Sequence, residues 1–271
     1  MKFFKIYCLF FIISLCVVSQ ASFSKPKPTK PDPNFHLYLL IGQSNMAGRG
    51  QMNAEYRNQF HSNVLMLNKN DEWEAAAHPL HFDKPKMAGV GPGLAFGIEM
   101  AKAKPTVKIG LIPCAVGGTA IESWEPSAMD RVTKKYPYDD AIARLRIAME
   151  SGVVKGVIWH QGEANSTPER SPDYLKNLEL LILRLRKITK DKNLPFVAGE
   201  LGQYRDRYKL INDKLKLLPE TVRNTAVASS EGLTHKGDNT HFDAASATEL
   251  GKRFAAQMIL LQEKLNRRGS K

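Results

Sequence analysis

Cysteine is scarce in this chain of 271 residues, with three in all. Two of them, Cys8 and Cys16, precede residue 22, so beyond that point Cys114 stands alone and no internal disulfide can staple the fold; a packed core must hold it. Cys114 lies within the apolar run "IGLIPCAV" and reads as a small buried hydrophobe rather than a nucleophile. Acidic residues are also short, 27 against 39 Lys and Arg, for a formal net charge of +12. The basic residues are scattered through helical patterns, with no basic arm and no aromatic residues interleaved among them. That excludes a nucleic-acid-binding reading and leaves solubility, with loose attraction to acidic polysaccharide or cell-surface material. Neither an internal repeat nor a second compositional regime appears, which implies one main domain.

What is present begins with a leader. Lys2 and Lys5 precede the apolar run "IYCLFFIISLCVV", and Ser19-Gln20-Ala21 supply small residues at a cleavage position. This pattern predicts a signal peptide over residues 1–21; the run is short for a membrane span and has no stop-transfer flank. The expected product is a secreted or periplasmic protein, free of the membrane after cleavage, with a formal charge of about +10 once the two leader lysines are removed. Residues 22–34 contain "KPKPTKPDP", an extended proline-rich linker, and the catalytic or binding domain is expected over 35–271. With 43% hydrophobic and 24% charged residues, that domain can build a full core.

"HLYLLIG", "NVLMLN", "VKIGLIPCAV", "VKGVIWHQG" and "LPFVAGEL" are short, nearly continuous apolar runs, the pattern of strands buried on both faces. Among them lie helix-period segments, "GLAFGIEMAKAK", "YDDAIARLRIAMES", "DYLKNLELLILRLRKITKD" and "YKLINDKLKLLPE", and "AASATELGKRFAAQMILLQEKL" closes the chain. Ser171 and Asp173 offer capping groups for the third of these. Alternation of this kind predicts an α/β/α sandwich on a mostly parallel sheet, whose ligands bind beyond the carboxyl ends of the strands.

Four polar segments fall at that rim: "GQSN", "VGGT", "HQGEAN" and "GDNTHFD". Ser44 follows a strand, so its hydroxyl can be a nucleophile backed by the N–H groups of a helix start, or simply a cap. Asp238 and His241 are three residues apart, close enough for one carboxylate to orient one imidazole as a general base; the same spacing suits a Gly-Asp-Asn turn. Gly117 and Gly118 allow close approach of backbone to a ligand, as a second oxyanion donor or as a tight turn. Gln161 carries an amide donor at the end of the fourth run. Gln43, Asn45, Trp124 and Glu163 are candidates for the substrate pocket, with local support or core packing as the plainer reading of each.

"IGQSNMAGRG", "PCAVGGTAIESW", "VIWHQGEAN" and "DNTHFDAAS" together resemble the SGNH hydrolase superfamily, and more narrowly carbohydrate esterase family 6 and the related sialate O-acetylesterases. The resemblance spans His36 to the last helix. It implies a flavodoxin-like α/β/α fold and hydrolysis of sugar acetyl esters without a metal or other cofactor. Carried over by residue, it implies Ser44 as nucleophile, His241 as base and Asp238 as its partner. The oxyanion donors would be the Ser44 N–H, an N–H of the Gly117-Gly118 pair and the Gln161 side chain. The expected partner is an acetylated carbohydrate, acetylxylan-type or sialic acid, and a monomer is expected. Three rivals remain: a metal hydrolase built on His235, Asp238 and His241 with His160 or Glu163; a non-catalytic carbohydrate-binding protein; and a lipase-like relative, against which no amphipathic lid is evident.

Overall fold

The computed structural model describes residues 30–269. The signal peptide expected over 1–21 and the linker up to residue 29 lie outside them. Seven strands form one sheet: β1 (Asp32–Gly42), β2 (Val64–Leu67), β3 (Trp73–Ala75), β4 (Lys108–Pro113), β5 (Gly152–His160), β6 (Phe196–Gly199) and β7 (Thr225–Ala228). The helices are α1 (Ser44–Ala47), α2 (Ala54–Arg57), α3 (Pro92–Ala103), α4 (Pro137–Met149), α5 (Tyr174–Thr189), α6 (Lys209–Lys216), α7 (Leu218–Thr221) and α8 (Ala244–Gly269). β1 opens at Asp32, inside the stretch read as linker, where the Asp32 N–H donates to Ser151 O at 3.0 Å.

The spatial order is β3-β2-β4-β1-β5-β6-β7, parallel except for the short edge strand β3. Without the β2–β3 edge, the remaining five strands follow the flavodoxin-like order 2-1-3-4-5. β1 is central, and its side chains alternate between two cores as strand periodicity requires. Leu37, Leu39 and Ile41 face Ile142 and Leu145 of α4 and Leu178, Leu181 and Leu185 of α5. Tyr38 and Leu40 face Leu94, Phe96 and Met100 of α3 and Leu250, Phe254 and Met258 of α8. Burial on both faces explains the unbroken apolar run of β1.

Three local expectations change. β3 and β7 are strands that the sequence pattern did not suggest: β3 is a polar three-residue edge and β7 is "TAVA", without long aliphatic side chains. The helix expected over 208–220 is divided at Leu217 into α6 and α7, where Pro219 has no N–H to continue the ladder. Asp173 stands at the N-cap of α5 with φ −87° and ψ 3°, and its side chain makes no capping bond; Ser171 is buried instead. Cys114 is buried, and burial pushes its thiol up to about 12, in keeping with a packing role. Among the described residues no helix is long and apolar enough to cross a membrane.

The end of β1 is tightly constrained. Gly42 has φ +132°, and a Cβ there would lie 2.1 Å from His160 O. Gly42→Ala therefore combines backbone strain with a backbone clash and should lower unfolding stability by about 3 kcal/mol or more, as read from equilibrium denaturation. A loss below about 1 kcal/mol would contradict this account of the turn.

Candidate active site

Where the strand order reverses, β1 is flanked by β4 on one side and β5 on the other, and the crevice beyond the strand ends opens. The Gln43 N–H donates to His160 O at 2.8 Å, and the Val116 N–H donates to Gly42 O at 3.0 Å. The three strand ends are thus tied together just before Ser44. As the first residue of α1, Ser44 has no intrahelical acceptor for its own N–H.

Ser44 Oγ lies 3.0 Å from His241 Nε2, and His241 Nδ1 lies 2.7 Å from Asp238 Oδ2. Asp238 Oδ1 also accepts from the N–H groups of Thr240 (2.9 Å) and His241 (2.8 Å). The carboxylate therefore shapes the turn and orients the ring at once, so the two readings of this pair coexist. Burial opposes ionisation of Asp238, but the His241 and Thr240 hydrogen bonds and the nearby His241 ring outweigh it and hold the carboxyl well below the usual range.

Asn45 fixes the loop that carries His241. Its Oδ1 accepts from the Phe242 N–H at 3.0 Å, and its Nδ2 donates to Thr240 O at 3.0 Å, bracketing the histidine on both sides. Nδ2 also donates to Glu163 Oε1 at 2.6 Å. Tyr204 Oη donates to the same Thr240 O at 3.0 Å. Behind them, burial holds His160 below its ordinary pKa despite the opposing pull of Glu163. The His160 Nε2–H donates to Glu200 O at 3.0 Å.

The glycine doublet lies against Ser44: a Cβ on Gly117 would be 3.3 Å from Ser44 Cβ. The same atom would be 2.6 Å from Arg49 Nη2 and 2.9 Å from Asp83 Oδ2. The Arg49 and Asp83 side chains are 1% and 2% exposed and paired at 2.7 Å, and the Gly117 N–H donates to Asp83 Oδ2 at 2.8 Å. Burial raises the cost of charging Asp83, but the Arg49 hydrogen bond and charge, with the Gly117 N–H, pull its pKa down. Gly118 has φ +95°, is exposed, and its N–H makes no hydrogen bond among the described residues.

The sequence of this constellation matches known proteins. The family model described as carbohydrate esterase, sialic acid-specific acetylesterase matches residues 34–260. The chain belongs to this family. It is accordingly an enzyme, a carboxylic ester hydrolase. A protein of Arabidopsis thaliana named "Probable carbohydrate esterase" is 32% identical to it over 253 residues, 85% of this chain and 93% of the relative. The crystal structure of that Arabidopsis protein superposes with a TM-score of 0.74 at 29% identity, over 84% of this chain and 98% of the other. The fold is shared with NanS, at TM-score 0.66 and 15% identity over 87% and 99% of the chains. It is shared too with a carbohydrate acetylesterase from Xanthomonas citri, at 0.64 and 22% over 82% and 55%.

Several residues expected at the substrate are buried in this esterase. Trp124 is 1% exposed, packs edge-on against Trp159 at 5.3 Å and donates from Nε1 to Thr119 Oγ1; the apolar segment after β4 folds inward and takes it into the core. Gln43, Asn45 and Glu163 are buried as well and support the site from behind. Gln161 is fully buried, and its amide nitrogen is spent on Gln43 Oε1, Thr119 O and Asn165 Oδ1. Its two N–H groups are thus shared among three internal acceptors. On the metal reading, His235 Nδ1 accepts from the Gly237 and Asn239 N–H groups. Among the described residues no group of three His, Cys, Asp or Glu is placed to hold a metal. Sequence reasoning missed Arg49, Asp83, Asn165 and Tyr204. Arg49 alone carried a local hint, its place between Gly48 and Gly50.

Two predictions follow from this geometry. Asn45→Ala strands the Glu163 carboxyl and the Phe242 N–H, leaves Thr240 O with Tyr204 Oη alone, and should cost about 2–4 kcal/mol in chemical denaturation; a change within about 0.5 kcal/mol would remove Asn45 as the clamp. Asp238 has a lowered folded-state pKa, so its stabilisation is present above the ordinary carboxylate range and is lost as pH falls through and below it. The stability difference between wild type and Asp238→Asn should therefore shrink as pH is lowered from 6 toward 3, measured by urea unfolding at each pH; a difference that grows would reverse the sign.

Proposed function

We propose that this carbohydrate esterase is a serine enzyme that removes O-acetyl groups from sugars, acting outside the cytoplasm on an acetylxylan-type polysaccharide or oligosaccharide. The reading rests on one observation: Ser44 Oγ, His241 and Asp238 form an unbroken hydrogen-bonded line of 3.0 and 2.7 Å at the switch point of the sheet. The export part rests on the N-terminal sequence pattern.

Asp238 accepts the Nδ1–H of His241, which leaves the Nε2 lone pair facing the Ser44 hydroxyl. As Oγ attacks the acetyl carbonyl carbon, its proton passes to Nε2 and the carbonyl oxygen becomes an oxyanion. The Ser44 N–H and the unpaired N–H of Gly118 are the donors assigned to it; Gly117 is the lesser choice because Asp83 already holds its N–H. Each such donor contributes about 3 kcal/mol. Collapse breaks the bond to the sugar oxygen, which takes the proton from Nε2. Water, deprotonated by the same nitrogen, then attacks the acetyl-Ser44 carbonyl, and acetate leaves as Oγ regains a proton.

A second reading, a sialate O-acetylesterase, draws support from the family's description. Lys84 Nζ also stands 3.9 Å from where a Gly118 Cβ would be, favouring a carboxylate-bearing sugar. Acetate release from acetylated xylooligosaccharides and from O-acetylated sialic acid compares the two directly, and the higher kcat/KM names the substrate. Ser44→Ala should lower kcat by about a thousandfold or more on either substrate with unchanged melting; retention of most activity would sink the serine mechanism. Dialysis against EDTA should leave the rate intact, and a loss restored by added divalent metal would instead favour the metal-hydrolase reading.

A further inference from the structure

A groove of about 480 Å³ begins at Gly118, the residue after the glycine packed on Ser44, and runs along the surface past Glu122, Arg131 and Arg170. Its volume lies within the roughly 300–1,000 Å³ of small-ligand sites. Glu122 and Arg170 form an ion pair in it at 3.2 Å, with side chains 49% and 47% exposed. Exposed pairs of this kind contribute little to stability, yet a fully buried amide is committed to this one. Asn165 donates from Nδ2 to both Glu122 oxygens, at 2.9 and 3.1 Å. Asn165 is itself fixed, because its Oδ1 accepts from the Ile121 N–H at 2.9 Å and from Gln161 Nε2 at 2.8 Å.

The loop around Asp130, which also lines the groove, is held in shape as well. The Asp130 carboxylate accepts from Ser123 Oγ (2.9 Å) and from Thr133 N (2.7 Å) and Oγ1 (2.8 Å), so it braces its loop and has little left for a ligand. That loop presents Met129 and Val132, 44% and 80% exposed, at the groove. A fixed acceptor, a planar donor and an apolar ledge side by side are the groups that a sugar ring requires. Its hydroxyls both donate and accept, and its C–H face is apolar.

We propose that this groove is a glycan subsite, in which Glu122 accepts and Arg170 donates hydrogen bonds to the hydroxyls of the sugar ring beside the scissile acetyl ester. The inference rests on Ser44 being the nucleophile. It makes Glu122 and Arg170 residues of sugar recognition, outside the bond-breaking steps.

The test uses the full chain with acetylated xylotetraose, O-acetylated sialic acid and 4-nitrophenyl acetate, an ester with no sugar. In Arg170→Ala and in Glu122→Gln, the ratio of kcat/KM for the preferred sugar acetate to that for 4-nitrophenyl acetate should fall about tenfold, chiefly through KM. Both side chains are half exposed, so melting should match wild type and the loss cannot be charged to unfolding. The subsite is overturned if the sugar and sugar-free esters decline in parallel, if neither changes, or if wild type hydrolyses no sugar acetate better than 4-nitrophenyl acetate. The Ser44 reading fails by a different result, namely Ser44→Ala still hydrolysing 4-nitrophenyl acetate.

Discussion

β1 is hydrogen-bonded to a parallel neighbour on each side and covered on each face, so its chain can leave the sheet only at its carboxyl end. Gly42 makes that exit. With φ +132° it turns the chain where any side chain would strike His160 O, and the next N–H closes onto that same carbonyl. Gly42 O in turn takes the Val116 N–H. The polar segments after β1, β4 and β5 therefore start from one knot of backbone hydrogen bonds, and their later course is coupled. Ser44, the glycine doublet and the Gln161–Asn165 segment meet because of topology first and side-chain chemistry second.

The fourth segment arrives from the other end of the chain, 197 residues after Ser44. Two contacts hold it. Along the sheet face, α8 packs on the core of Tyr38 and Leu40, and Gln262 donates to Tyr38 Oη at 3.1 Å. At the rim, Asn45 binds the backbone on either side of His241. The first contact fixes the helix and the second fixes the loop before it. The histidine is thus positioned mainly through main-chain bonds to Thr240 and Phe242, while Asp238 sets the rotation of its ring.

How much of this could be read beforehand follows the distance over which each feature is decided. Strands β1, β4 and β5 were legible because burial on two faces leaves an unbroken apolar run, whereas β3 and β7 are short and lack bulky side chains. The Asp238–His241 pair was legible because an i,i+3 contact is local. Trp124 and Gln161 are ambiguous in the sequence for the opposite reason. An indole serves equally as a sugar platform or as core, and an amide serves equally as a donor to ligand or to protein; which use prevails depends on neighbours brought up by the fold, such as Trp159 for Trp124 and Gln43 and Thr119 for Gln161. Arg49 and Asp83 escaped notice because a buried ion pair has no sequence period.

The pairing of polar groups around Ser44 bears on the proposed chemistry more strongly than any single residue. Leaving a buried donor unpaired costs about 1–3 kcal/mol, and behind the serine the donors are paired: the amides of Asn45, Gln161 and Asn165, the N–H of Gly117 and the guanidinium of Arg49 all have acceptors. In front of it, the Ser44 N–H is left without an intrahelical partner by its place at a helix start, and the N–H of Gly118, an exposed residue, has no hydrogen-bond partner among the described residues. Donors held rigidly and left to water are cheap to keep and need little reorganisation when a carbonyl oxygen takes on charge. With the donors behind the serine paired, the N–H groups of Ser44 and Gly118 are two backbone donors with no hydrogen-bond partner among the described residues.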